Sequence, residues 1–253
     1  MNYTVDNQLN IESNNSKIFK SAKAKLFASA MMWFGINLFI AFLVGFLCLK
    51  FQVWDHLFSN RNFLKGLIIA ISLAVIFIVA ATLLNKFWIK LNPILSFVCS
   101  TILMGIIGFE LVTPILYYTK ALEPEKIAAV FLLPAALMII IGLLGSMNLI
   151  KIKFVWFITI ALVAIMIITS IVSIFVFNKK INTLIIVAGI ALGGCYMAID
   201  WWLLHKVSSN EIYDPAELNS WKAIMTHGIY FGFKFAFDYI YVVYYVVMLL
   251  KGN

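Results

Sequence analysis

The stretch from residue 229 to residue 250, IYFGFKFAFDYIYVVYYVVMLL, decides the fold class, because Lys234 and Asp238 are its only charged residues. A helix of this length measures about 33 Å, which is close to the thickness of the hydrocarbon core of a bilayer. A strand of a membrane barrel would alternate polar and apolar residues, and this stretch does not. It therefore predicts a transmembrane helix that carries two charges.

The rest of the chain has the same character. Of its 253 residues, 64% are hydrophobic and 12% are charged, whereas a soluble domain is nearer half apolar and a quarter charged. Several further apolar runs are long enough to cross a bilayer. We predict an all-α polytopic membrane protein with seven transmembrane helices. The predicted spans are residues 27–49, 63–84, 94–118, 127–149, 154–177, 183–208 and 229–250.

Several functional classes are not indicated by the sequence. The net charge of +8 fits short basic loops beside a membrane, and no soluble stretch is long enough to form a basic groove for nucleic acid. Cys48, Cys99 and Cys195 lie inside apolar runs without metal-ligand spacing. The chain has neither a Gly-x-Ser-x-Gly nor a His-Glu-x-x-His motif. We therefore expect no enzymatic activity and no bound cofactor.

The two ends of the predicted membrane domain suggest its boundaries and orientation. Residues 1–26 are predicted to be a polar, disordered tail that becomes basic, and residues 27–250 the transmembrane domain. Lysines concentrate on the cytoplasmic side of membrane proteins, so the basic flank predicts a cytoplasmic N-terminus. Abundant Asn, Lys and Ile favour a bacterial plasma membrane. The lysines of this flank are Lys17, Lys20, Lys23 and Lys25.

The longest connection, before the last span, contains a helix-start signal. Asp214 at the N-cap, Pro215 at the first helical position and Glu217 at the third favour a helix that begins there. Gly228 is a plausible end. We interpret residues 215–227 as a short amphipathic helix on the membrane surface. The alternative is that this segment simply begins the last span.

Asp200 and Asp238 are predicted to meet if the surface helix is separate. Asp200 then lies eight residues from the end of the sixth span and Asp238 ten residues into the seventh, each about 12–15 Å below one surface. Two adjacent buried carboxyls tend to share a proton and so respond to pH. When ionised, they offer the oxygen ligands that Ca²⁺ prefers. If the last span began at Trp221 instead, Asp238 would lie much deeper than Asp200.

Two more ionisable residues lie within predicted spans. Lys234 precedes Asp238 by four residues and shares its helical face, so an internal salt bridge between them is one alternative. Glu110 lies close to Pro114, which loosens a helix by removing a backbone hydrogen bond. Glu110 either lines the same pathway as the aspartates or is a hydrogen-bonded structural group nearer the interface.

Four segments, in this order, resemble the Bax inhibitor-1 family, also called the transmembrane Bax inhibitor motif family. IIGFELVTPILYYT (106–119) is similar to the family's third-helix pattern, and FLLPAALMIIIGLLGSM (131–147) to its fourth helix. YMAIDWWLLHK (196–206) and FKFAFDYIYVVYYVVMLL (233–250) are similar to its paired-aspartate ending. The resemblance implies seven helices with the last one central, and a Ca²⁺ leak path governed by a pH-sensitive aspartate pair. By position, Asp200 and Asp238 would be that pair.

The chain departs from this family in its second helix. The family commonly has an arginine there that bridges to the sixth-helix aspartate, and the matching region of this chain, NKFWIKLNP (85–93), has none. Lys234, Lys86 or Lys90 are the candidate replacements, although a lysine cannot form the two-pronged contact of an arginine.

The leading hypothesis is a pH-sensitive Ca²⁺ leak channel in which Asp200 and Asp238 form the gate and a tentative Ca²⁺ site, with calcium ions and membrane lipids as its partners. The alternative is a non-conducting membrane scaffold that binds other membrane proteins. A retinal protein is not favoured, because Lys234 precedes Asp238, the reverse of the order in microbial rhodopsins.

Overall fold

The computed structural model describes residues 3–59, 62–88, 91–147, 149–176, 178–208 and 220–252. A π-helical segment, Gly108–Val112, joins α4 to α5 without a break, so the two helices and this segment form one membrane span. The helices are α1 (Tyr3–Lys50), α2 (Val53–Leu57), α3 (Phe63–Phe87), α4 (Pro93–Ile107), α5 (Thr113–Thr119), α6 (Pro124–Ser146), α7 (Ile152–Phe175), α8 (Lys179–Ser208) and α9 (Trp221–Lys251).

The predicted all-α fold is confirmed. Within the described ranges the chain forms helices and no strands, and seven membrane-spanning helices are long and apolar enough to cross a bilayer. Their edges lie within a few residues of the predicted ones, except at the start of the first and the last. The spans are Ala22–Lys50, Phe63–Phe87, Pro93–Thr119, Pro124–Gly145, Ile152–Ser173, Lys179–Ser208 and Trp221–Lys251.

The sequence explains where two of these helices begin. The Asn92 side chain accepts a hydrogen bond from the backbone nitrogen of Ile94 at 3.2 Å, and Pro93 occupies the first turn. The Ser220 hydroxyl accepts one from the backbone nitrogen of Ala223, also at 3.2 Å. Both caps satisfy backbone donors that a helix start leaves unpaired, and proline needs no such partner.

The N-terminal segment differs from its prediction. We expected a disordered tail over residues 1–26, and the structure has one helix from Tyr3 to Lys50. Ala22 and Leu26 are fully buried against the bundle, which anchors the helix before the predicted edge of the span. Once a helix is anchored, each further residue adds a hydrogen bond, so extending the helix costs far less than starting one.

The predicted break at Gly228 is also wrong. Residues 215–219 lie outside the described residues, and α9 runs without interruption from Trp221 to Lys251. Gly228 lies against α1, where a Cβ atom would overlap the Ser29 side chain, and the Ser29 hydroxyl donates to the carbonyl of Ile224 at 3.3 Å. The glycine therefore allows helix contact rather than ending a helix.

The last helix is the centre of the bundle. Half of the residues in the most apolar 18-residue stretch of this span are buried, whereas only 6% are buried in the matching stretches of the second and fifth spans. It packs most extensively on α1 and α8, and also on the third span and α6. Side chains of α9 also contact the two remaining spans. Phe237 contacts Phe77 of α3, and the Tyr241 hydroxyl lies 3.9 Å from the sulfur of Met166 in α7.

Small residues set the distance between α9 and its two main neighbours. Gly232 faces the backbone of α1, where a Cβ atom would lie 2.6 Å from the backbone nitrogen of Phe34. On α8, Gly193 lies against Val242, and a Cβ atom there would overlap that side chain. Close approach of this kind is how small residues promote helix packing in membranes. The position of α9 is thus fixed from two sides.

Candidate functional site

Asp200 of α8 and Asp238 of α9 lie together in the interior of the bundle. Each is only 2% exposed. Both line the same cavity, and they are close enough for their charges to interact. The structure therefore brings together the two residues that the sequence singled out.

They meet by a different geometry from the predicted one. Asp200 lies eight residues before the end of α8 and Asp238 seventeen residues after the start of α9, or about 12 and 26 Å along the two axes. The start of α9 therefore extends about 14 Å past the end of α8. The expectation that a start at Trp221 would separate the carboxyls is wrong, because the ends of the two helices are not level.

Lys234 supplies the counter-ion. Its ammonium donates to Oδ1 of Asp200, across the interface between α9 and α8. The alternative of a salt bridge within α9, from Lys234 to Asp238, is not the ion pair that forms. Within the described part of the chain, Oδ2 of Asp238 is buried and has no hydrogen-bond partner. An unpartnered buried carboxyl oxygen is costly, and a proton or a cation would satisfy it.

Tyr230 and Asn85 support the lysine, and the sequence analysis missed both. The Tyr230 hydroxyl donates to Oδ1 of Asn85 at 2.6 Å, and the Lys234 ammonium lies 5.4 Å from the centroid of the Tyr230 ring. The contact ties α9 to α3 beside the ion pair. Two signals pointed to them: Asn85 is an amide at the end of an apolar span, and Tyr230 precedes Lys234 by one helical turn.

Of the other two candidate lysines, Lys86 takes no part in this ion pair. Lys86 is exposed, with its ammonium 5.5 Å from the centroid of the Phe87 ring. Lys90 lies outside the described residues. Lys234 is thus the candidate lysine that the structure pairs with Asp200, and it reaches Asp200 from the seventh span.

A cavity of about 580 Å³ lies beside the three charged side chains. Its wall includes Trp156, which is 49% exposed on α7, so the cavity reaches the outside of the bundle there. It is large enough for several water molecules. The lining residues are Phe77, Ile78, Ala81, Asn85, Trp156, Tyr196, Ile199, Asp200, Phe233, Lys234, Phe237, Asp238 and Tyr241.

Glu110 lines a neighbouring cavity of about 230 Å³. It lies in the π-helical segment, which the Thr113 hydroxyl stabilises by donating to the carbonyl of Gly108 at 3.0 Å. Oε1 of Glu110 is buried and has no hydrogen-bond partner among the described residues. Of the two roles left open for Glu110, the structural one thus has no hydrogen bond to support it.

The two cavities share part of their walls. Both are lined by Phe77, Ile78, Phe237 and Tyr241. The rings of Phe77 and Phe237 are in contact, with centroids 5.4 Å apart. We refer to these two rings as the aromatic constriction, because they lie between the cavity of the aspartates and the cavity of Glu110.

The charges define what the site can do. With one proton shared between the carboxyls, the two acids and Lys234 are neutral together, and loss of that proton leaves one net negative charge in a buried site. Among the described residues, no group of three or more His, Cys, Asp or Glu side chains is clustered as a metal site. Ca²⁺ usually takes six to eight oxygen ligands, so two carboxylates suit a passing ion better than a retained one.

Comparison with known proteins adds no family to this description, because no family model matches the chain and no curated protein matches it.

Proposed function

We propose that this protein is a pH-sensitive cation leak channel of the Bax inhibitor-1 type, with Ca²⁺ as the ion. The observation that carries the proposal is the pairing of Asp200 and Asp238 inside a transmembrane bundle, next to a cavity and one lysine. Intramembrane acids are expensive, and they commonly mark ion or proton pathways. A purely structural role would leave the unpartnered oxygen of Asp238 unexplained.

The proposed gate follows from the charge count. In the closed state, a shared proton joins the two carboxyls and Lys234 neutralises Asp200, so α8 and α9 are held together. Loss of the proton places two carboxylates beside one ammonium, and their repulsion weakens the contact while the net negative charge attracts a cation. The leak is therefore expected to rise with pH. The phenol groups that also face the pair are Tyr196, Tyr230 and Tyr241.

Calcium efflux from proteoliposomes tests this proposal. We expect wild-type flux to rise between pH 6 and pH 8, and Asp200→Asn and Asp238→Asn each to lower the flux at pH 8 more than about tenfold and to remove its pH dependence. Each variant leaves one carboxylate beside one ammonium, so the site stays neutral. At an effective dielectric constant of 20, the attraction between a cation and a unit charge 4 Å away is about 4 kcal/mol. A tenfold change in flux corresponds to only about 1.4 kcal/mol.

Asp55→Asn is the matched control, since Asp55 is exposed on α2 and loses the same charge. Unchanged flux and an unchanged pH response in both buried variants would refute the gate. Absence of flux from the purified wild type at any pH would favour the non-conducting scaffold instead.

The pathway is proposed to continue from the aspartates past the aromatic constriction to Glu110. Phe237→Ala and Phe77→Ala are each expected to raise calcium flux several-fold, because apolar constrictions hinder hydrated ions. The same proteoliposome assay measures the change. Phe39→Ala is the control, since Phe39 is 67% exposed on α1. Flux that stays at the wild-type level in both constriction variants would place the pathway elsewhere.

The proposal extends to the setting of the protein. We propose a bacterial plasma membrane with the N-terminus in the cytoplasm, supported by the basic flank of the first span. Labelling of single cysteines placed near Lys23 in intact cells, compared with permeabilised cells, tests the orientation.

A further inference from the structure

A second site lies on a different side of α8 and α9. A groove of about 580 Å³ runs between α1, α6 and α8, and neither Asp200 nor Asp238 lines it. Phe27 and Leu143 on its edges are 44% and 59% exposed, so the groove is open to the bilayer. Its lining residues are Phe27, Met31, Phe34, Leu38, Ala135, Met138, Ile139, Gly142, Leu143, Trp201 and Tyr239.

The length and depth of the groove match one leaflet. Its α1 wall runs from Phe27 to Leu38, or about 16 Å along the helix. The first span begins at Ala22, so the groove extends from near the membrane edge towards the midplane. Half of a hydrocarbon core of about 30 Å has the same depth. The groove is therefore long enough to hold one acyl chain of the adjoining leaflet.

The end of the groove nearest the membrane surface is basic. A smaller cavity of about 90 Å³ continues the groove there and shares Phe27 and Trp201 with it. Lys23 lies one helical turn from Phe27, His205 lies one turn from Trp201, and both line the smaller cavity. Among the described residues, no carboxylate lines either cavity. A basic pocket between spans at the end of an apolar groove suits a lipid phosphate.

The Trp201 ring lies where the two cavities join. The Trp201 ring lies against Gly142, where a Cβ atom would be 2.9 Å from the ring, and its centroid is 5.8 Å from that of Phe27. Trp201 lines both cavities, so its ring joins the apolar groove to the basic end.

We propose that this groove binds one anionic glycerophospholipid of the bilayer, with its phosphate between Lys23 and His205 and one acyl chain along α1 and α6. The site is separate from the proposed ion pathway, and it holds whether or not the protein conducts ions. The bound lipid joins α1, α6 and α8, and no residue of α3 lines this groove.

Native mass spectrometry of the delipidated protein in detergent, titrated with dioleoyl-phosphatidylglycerol or dioleoyl-phosphatidylcholine, tests the proposal. The two lipids have the same acyl chains and differ in net charge. We expect wild type to bind one phosphatidylglycerol at least about fivefold more tightly than phosphatidylcholine. Lys23→Gln combined with His205→Gln is expected to remove that preference, whereas Ala135→Phe fills the groove and weakens the binding of both lipids.

Matched controls are available for both ends of the groove. Lys222→Gln removes an exposed lysine at the start of α9, and Ala136→Phe adds the same ring at an exposed neighbouring position. Both are expected to bind like wild type. Equal wild-type affinity for the two lipids, or basic-end and groove variants that match these controls, would overturn the proposal. The two variants act at opposite ends of the site, so either of them alone tests it.

Discussion

Replacing Lys234 with methionine is expected to lower the free energy of unfolding by about 3–5 kcal/mol at pH 8, the range found when one partner of a buried ion pair is removed. The ammonium pairs with Asp200, which is 2% exposed, and Asp238 beside it is equally buried. At pH 5 a proton can replace the ammonium, so the loss is expected to be smaller. Unfolding by SDS titration in mixed micelles at the two pH values measures both quantities.

Two further variants make the Lys234 experiment specific. Asp200→Asn in the Lys234→Met background removes one of the two buried carboxyls, and it is expected to restore part of the stability lost at pH 8. Lys222→Met makes the same substitution at an exposed position of the same helix and is expected to have little effect. An equal loss at pH 5 and pH 8, or a loss no larger than that of Lys222→Met, would contradict the buried ion pair.

Gly232→Ala is expected to be among the most damaging single-methyl changes in the bundle. The added Cβ would lie 2.5 Å from Cβ of Trp33 and 2.6 Å from the backbone nitrogen of Phe34. Backbone atoms cannot rotate away as a side-chain end can, so α1 would have to move off α9. Overpacking of this kind costs about 1–3 kcal/mol or more. The same SDS titration measures it.

Gly35→Ala is the matched control for Gly232. Gly35 lies on α1, is exposed, and has nothing within 4 Å of the position of an added Cβ. Because alanine favours helix by up to about 1 kcal/mol over glycine, this variant is expected to be neutral or slightly more stable. If both variants gave the same stability, the close contact between α1 and α9 would not be what fixes the position of the last helix.

Most of the fold could be predicted from sequence, because a run of apolar residues long enough to cross a bilayer has few structural alternatives. The starts of the first and last spans were predicted wrongly for the same physical reason. At Gly228, a residue typical of helix ends serves the packing of α9 on α1. Before residue 27, buried contacts of Ala22 and Leu26 extend a helix into polar sequence. Both outcomes depend on neighbouring helices, which local sequence does not contain.

The candidate site was predictable in its residues, whereas the partner of Lys234 stayed open between two alternatives. Intramembrane charges identify Asp200, Asp238 and Lys234 by type alone. The four-residue spacing allowed Lys234 to pair with Asp238, and the family resemblance allowed it to bridge to Asp200 instead. The structure has the pair with Asp200. Asn85 reaches Tyr230 only because α3 packs beside α9. Such contacts depend on how the helices are offset along their axes, and a single sequence does not fix that offset.

The central position of α9 has a consequence for biogenesis. Ribosomes make a chain from its N-terminus, so the six surrounding helices enter the membrane before the helix around which they pack. Until α9 arrives, Asp200 has no counter-ion from Lys234 and the glycine face of α8 has no neighbour. The first six helices therefore remain incompletely packed, and in contact with the insertion machinery, until α9 has been synthesised. Proteases that survey unfinished membrane proteins are expected to act during this interval rather than on the completed bundle.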